Sequence, residues 1–125
     1  MFNILLVAIG GAFGSVLRYL AGVLTLRWFG PAFPWGTLAV NVVGSFAIGL
    51  LTEMIARKFN ASTELRVLLV AGILGGFTTF SSFSLDTMVL LERGAGAATA
   101  AYVLGSLGLS FIAIVAGLAL GRAMF

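Results

Sequence analysis

Gly75-Gly76-Phe77-Thr78-Thr79-Phe80-Ser81-Ser82-Phe83-Ser84 lies inside a charge-free run from Val67 to Leu85, so glycines and hydroxyls occupy a stretch otherwise apolar enough to cross a membrane. Hydrocarbon cannot satisfy free N–H and C=O groups, and irregular backbone at membrane depth is tolerated only where it is buried in protein or lines a wet cavity. This decapeptide is therefore the first candidate for the working part of the molecule. Gly72, Gly75 and Gly76 weaken a helix, and the threonines and serines that follow can satisfy backbone groups freed by a break. The third span is accordingly expected to be broken near its middle.

The rest of the chain fits a membrane setting. Of 125 residues, 61% are hydrophobic and 9% charged, against about 25% charged in a typical soluble domain; mean hydropathy is +1.17. The charges cut the chain into four apolar stretches, at residues 2–26, 34–52, 67–85 and 94–121. Each is near or above the roughly 20 residues a helix needs to cross hydrocarbon. The expected fold is an all-α membrane protein, one four-helix transmembrane domain over residues 1–125. The joints are too short to fold as soluble domains, so no enzyme site is expected outside the membrane. The N-terminus lacks a basic leader and cleavage site, and the first stretch is read as a retained span.

Cysteine and histidine are absent, which excludes disulfides, thiol chemistry and the usual transition-metal sites. The net charge of +3 comes from scattered basic residues, a pattern of lipid-facing loops rather than of a nucleic-acid surface. With four spans both termini share a side, which collects Arg57, Lys58, Arg66 and Arg122; the other collects Arg27 and Arg93, plus Arg18 if it reaches that interface. So weak a bias lets a chain insert either way up, and a pair of opposed copies becomes possible.

The polar residues within the spans fall into patterns. Gly10, Gly11, Gly14 and Ser15 give the first span a small-residue face, with Arg18 one turn beyond Gly14. Arg18 has two readings: snorkelling to the interface beside Tyr19, or a fixed positive charge at the mouth of an anion path. Thr37, Asn41 and Ser45 on the second span, and Tyr102, Ser106 and Ser110 on the fourth, are each spaced i, i+4, i+8 and share a helical face. Asn41 suits either an interhelical hydrogen bond or a pore lining, because its amide donates to an anion without carrying charge. The hydroxyls on the fourth span suit bonds to carbonyls one turn earlier or a polar track; Gly105 and Gly108 beside them are expected to admit a neighbouring backbone. Phe77, Phe80 and Phe83 suit plain packing, or presentation of positive ring edges to an anion.

The charges decide between ions. Glu53, Glu64, Asp86 and Glu92 all fall at span ends or in loops, whereas cation pathways and proton relays use buried acids. What remains inside is one arginine, amide and hydroxyl donors, and aromatic edges, a lining that favours a small anion. Carbonyls exposed by a break in the third span would be ligands for a hard cation such as sodium.

In this order and spacing, Gly10-Gly11-Ala12-Phe13-Gly14-Ser15-Val16-Leu17-Arg18-Tyr19, Gly36-Thr37-Leu38-Ala39-Val40-Asn41 and the opening decapeptide resemble the bacterial fluoride channels of the CrcB or Fluc family, over the whole chain. The resemblance implies an antiparallel, dual-topology homodimer in the inner membrane, with two pores that let cytoplasmic fluoride leave passively and so reduce its toxicity. It implies that Phe80 and Phe83 turn ring edges to the ion, that Asn41 lines the pore, and that Tyr102, Ser106 and Ser110 form a polar track. Arg18, Thr79 and Ser82 match further family positions. It also implies a structural sodium ion at the dimer centre, held by the backbone carbonyls of Gly75 and Thr78 from both subunits. Two departures stand out: Ser82 replaces a frequent threonine and Asp86 a frequent glutamate. The rival class is a small four-helix proton-coupled multidrug exporter, which needs an embedded carboxylate that the first span lacks. A third reading is an assembly subunit whose polar stripes only glue helices.

Overall fold

A computed structural model describes all 125 residues. The chain is all-helical, with four runs long and apolar enough to cross a membrane. Helix α1 spans Phe2–Phe29 and α2 spans Trp35–Lys58. The third run, Thr63–Glu92, comprises a turn at Thr63–Leu65, a π-helical segment Arg66–Leu74, a turn at Gly75–Phe77 and helix α3, Ser81–Glu92. Helix α4 spans Gly96–Met124. At about 1.5 Å per residue, the 28 residues of α1 exceed a hydrocarbon core of about 30 Å.

The helices extend past the apolar stretches because their end charges are accommodated on helical turns. Glu53 pairs with Arg57 one turn on, within α2, and with Arg122 near the end of α4. Asp86, expected at the edge of a loop, stands inside α3. Chain reversals use left-handed backbone where it is needed: Gly30 at φ 78° ends α1, and Asn60 and Ala61 at φ 55° and 54° turn the chain after α2. The hydroxyl of Ser62 then accepts from the Leu65 N–H at 3.3 Å and starts the third run.

Two glycine seams bring backbones together. Along the first, α1 lies on the π segment. A Cβ on Gly10 would sit 2.6 Å from the Leu68 carbonyl oxygen, one on Gly14 would collide with that of Ile73, and one on Gly76 would sit 2.6 Å from that of Gly11. The wide π turn presents the Leu68 and Ile73 carbonyls to α1, and α1 presents that of Gly11 to Gly76. The second seam joins α2 to α4: Gly49 faces the Ile114 carbonyl, Gly117 that of Phe46, and Gly121 the Glu53 side chain. The small-residue face of the first span thus packs within the chain. Gly105 and Gly108 do not: a Cβ on either would meet nothing within 4 Å. The approach on α4 occurs instead at Gly117, set among apolar residues, and at Gly121, beside Arg122.

Only 13 of the 125 residues are buried, and large apolar side chains such as Ile4, Ile9, Phe111, Ile112 and Val115 are mostly exposed. Such a surface is stable in lipid, where no hydrophobic force drives it inward and close small-residue packing holds the helices instead.

Candidate functional site

The regular hydrogen bonding of the third run is interrupted around Thr78, whose backbone is extended at φ −87°, ψ 160°. Asn41 reaches across from α2 to this point. Its Oδ1 accepts from the Thr79 N–H at 2.9 Å, and its Nδ2 donates to the Thr79 carbonyl at 2.9 Å. Nearby, the Thr79 hydroxyl accepts from the Ser82 N–H at 3.1 Å and so starts α3. Arg18 donates from Nε to the Gly76 carbonyl at 3.1 Å, which places its guanidinium on the interrupted backbone.

These side chains divert two donors. In an unbroken helix the N–H of Thr79 would bond Gly75 O, and that of Ser82 would bond Thr78 O. The first is taken by Asn41 and the second by the Thr79 hydroxyl. Gly75 and Thr78 are left without their helical donors, while the carbonyls of Gly76 and Thr79 are served by Arg18 and Asn41.

Beside the interruption runs an open groove of about 400 Å³, lined among others by Asn41, Ser45, Gly75, Thr78, Thr79, Phe80, Phe83, Ser106 and Ser110. The hydroxyls of Ser106 and Ser110 are buried against this wall with no hydrogen-bond partner. A serine in a membrane helix ordinarily bonds a carbonyl one turn back, as Thr99 on the same helix does to Ala95. Ser106 is only 5% exposed, and an unmet buried hydroxyl costs about 1–3 kcal/mol. The groove has no carboxylate in its lining.

At one end of the groove an aromatic chain leads away. Phe80 and Phe83 have ring centroids 5.7 Å apart, Phe83 and Tyr102 5.2 Å, and Phe33 meets Tyr102 edge-on at 5.5 Å. Phe80 is 76% exposed and Tyr102 fully buried. The Tyr102 hydroxyl donates to Asp86 Oδ2 at 3.1 Å, and Thr37 donates to the same oxygen at 2.7 Å. Asp86, Thr37 and Phe33 line a second cavity of about 290 Å³, together with Thr25, Trp35 and Arg93.

The sequence-predicted residues therefore divide. Asn41, Gly75, Thr78, Thr79, Phe80, Phe83, Ser106 and Ser110 meet at the groove. Tyr102 lies beyond it in a polar knot with Asp86, Arg18 lies behind it on Gly76, and Ser82 contributes its backbone N–H to Thr79. Sequence reasoning missed the knot. Asp86 read as a loop-edge charge, and nothing in the spacing of Thr37, Asp86 and Tyr102 ties three helices to one oxygen. Phe33, between Pro31 and Pro34, lies in a joint between spans and has no polar group to mark it.

Residues 5–118 match the family described as CrcB-like protein, Camphor Resistance (CrcB). Proteins named fluoride-specific ion channel FluC are 65% identical over 125 residues in Agrobacterium fabrum, covering all of both chains. The same name is carried by relatives 63% identical over 124 residues in Rhizobium leguminosarum bv. trifolii and 60% identical over 124 residues in Rhizobium meliloti, each covering 99% of both chains. A family match over residues 5–118, with relatives more than half identical along nearly the whole chain, makes this protein a member of the CrcB family.

Proposed function

We propose that the protein is a fluoride-selective ion channel of the bacterial inner membrane, letting fluoride leave the cytoplasm down its gradient. The observation that carries this reading is the pair of unpartnered hydroxyls, Ser106 and Ser110, in a groove with no carboxylate. Fluoride is small and strongly hydrated, so a path must replace its water with close donors. The groove offers two free O–H groups, the rings of Phe80 and Phe83, whose edges carry partial positive charge, and the second N–H of the Asn41 amide, since an amide nitrogen carries two donors and one is spent on Thr79. A proton-coupled exporter of cations would need an embedded acid here.

The third run works as a broken helix, and its freed carbonyls give a further reading. Gly75 and Thr78 present neutral oxygens without helical donors, the ligand type a sodium ion prefers. Two such oxygens make half a coordination shell. A second, inverted copy supplies the other half and roofs the open groove, so the working unit is an antiparallel dual-topology homodimer with two pores. Sodium there supplies fixed positive charge and joins the subunits, while Asn41 and Thr79 keep the carbonyls turned toward it.

A fluoride electrode and liposomes loaded with fluoride test the reading. With a potassium ionophore present, the protein releases fluoride rapidly and chloride little. Uptake of aromatic cations driven by a pH gradient, without fluoride release, would instead establish the exporter. Release that survives replacement of all sodium during purification and assay, with the dimer unchanged on gel filtration, would remove sodium from the account without removing the channel.

A further inference from the structure

At the end of the molecule far from the Asp86 knot, where α2 and α4 finish together, Glu53 is gripped by two guanidinium groups. Arg57 donates from Nε to Oε2 at 2.9 Å, and Arg122 donates from Nε to Oε1 at 3.0 Å. Each carboxylate oxygen is thus taken by one arginine. An arginine has five N–H donors in a planar fork, and a grip through Nε leaves the terminal nitrogens unspent on the carboxylate. One of these, Arg57 Nη1, also reaches the Arg122 carbonyl at 3.5 Å. The carboxylate is sheltered, with 14% of its side chain exposed, while the arginines are 44% and 59% exposed. Gly121 packs on the Cβ and Cγ of Glu53 and fixes its position.

One acid with two arginines leaves net positive charge, and Lys58 beside Arg57 adds to it. The last turns of the same helices also expose apolar surface at Phe59, Leu120 and Met124. Two oriented forks next to apolar side chains at a span's end suit a ligand that is anionic at one end and hydrocarbon at the other. We propose that Arg57 and Arg122, positioned by Glu53, bind the phosphodiester of an anionic phospholipid at the membrane surface that both termini share. Guanidinium forks match phosphate oxygens bidentately. Glu53 acts as a positioning residue: it holds the forks apart from each other and turned outward, which two like charges would not do unaided.

The test is native mass spectrometry of the full-length protein in detergent, titrated with dioleoylphosphatidylglycerol, dioleoylphosphatidylcholine or inorganic phosphate. Wild type retains phosphatidylglycerol in preference to phosphatidylcholine, and inorganic phosphate does not displace it. Replacing both residues, Arg57→Ala with Arg122→Ala, lowers phosphatidylglycerol affinity by roughly thirtyfold, a factor of about five for each basic residue near an anionic surface. Removing the same charge at the opposite end, Arg27→Ala with Arg93→Ala, changes it by less than about twofold, the two ends lying well beyond a screening length of about 8–10 Å. Should the alanine pair fail to fold, the pair Arg57→Lys with Arg122→Lys keeps the charge and loses the forks; its affinity falls severalfold. Glu53→Gln raises net charge yet weakens binding. Equal retention of the two lipids, equal loss from the opposite-end pair, wild-type affinity in the lysine pair, or tighter binding in Glu53→Gln would each overturn the site. Displacement by inorganic phosphate at concentrations comparable to the lipid would overturn the lipid as its occupant.

Discussion

Tyr102, Ser106 and Ser110 occupy one face of one helix, a turn apart, yet their hydroxyls meet opposite fates. Tyr102 is fully buried and its hydroxyl is bound by Asp86, which also takes a hydrogen bond from Thr37. Ser106 and Ser110 are enclosed with no partner at all. Spacing along α4 cannot tell the two apart. What differs is the opposite wall: a carboxylate faces Tyr102, whereas a groove lined by Ile48, Phe80 and Phe83 faces the serines. A polar group with a built-in partner serves the fold, and one without a partner is free for the ion of the proposed channel.

Four substitutions sharpen or break this contrast. Asn41→Asp is expected to have the largest effect. An ionised aspartate accepts from the Thr79 N–H but cannot donate to the Thr79 carbonyl, and it adds negative charge to the groove proposed to carry an anion. Fluoride efflux from liposomes should fall about a hundredfold, matching a barrier higher by about 3 kcal/mol. Wild-type flux would show that the double clamp on Thr79 is dispensable.

Gly117→Val comes next and strikes lower on α4, where the wall is closed by backbone. Its side chain collides with the Phe46 carbonyl; overpacking of this kind costs about 1–3 kcal/mol. The variant should lose its monodisperse peak on gel filtration, and a stable variant would show that the α2–α4 seam has slack.

Ser110→Ala should cut efflux about tenfold, the value of one hydrogen bond to an ion at about 1.5 kcal/mol. Its thermal midpoint should hold or rise, because an unmet hydroxyl is removed. A fall in midpoint with unchanged flux would make Ser110 a packing residue. Tyr102→Phe is the mildest change: Asp86 keeps Thr37, the ring keeps its place beside Phe33 and Phe83, and the loss is about 1 kcal/mol of stability by chemical or thermal unfolding. If Tyr102→Phe reduces efflux more than Ser110→Ala does, the division between fold and ion fails.

Much of this was legible in the residues. Four membrane-length runs follow from where the charges stand, because a charge is expensive in hydrocarbon and confines itself to ends. The convergence of Asn41, Phe80, Phe83, Ser106 and Ser110 was visible as polar stripes and ring spacing. Asn41 illustrates the boundary. An amide deep in a span announces that it needs partners, but both its readings began from its own donors and acceptors, and the sequence has no sign that its partner is the backbone of Thr79. Contacts made to main chain leave no imprint on side-chain identity.

The seams show the same boundary from the other side. Gly10 and Gly14 stood out in a cluster with Gly11 and Ser15, whereas Gly49 and Gly117 sit among aliphatic residues and Gly121 borders Arg122, which read only as a charge at a span's end. Gly105 and Gly108 drew attention through Ser106 and meet nothing in this chain. A missing side chain tells that something approaches, but only the paired surface tells what.

The π-helical stretch Arg66–Leu74 has a consequence for how this chain can vary in length. Its hydrogen bonds reach five residues back, one more than an α-helix needs, so it holds a residue in surplus. Deleting one of them lets the segment relax to ordinary α-winding, and the lost surplus absorbs most of the change in register at Thr79, Phe80 and Phe83. The same deletion within α2 or α4 turns every later position by about 100° around the axis. A one-residue loss is therefore better tolerated within residues 66–74 than in those helices, provided that Gly72, which packs against Gly10, is kept.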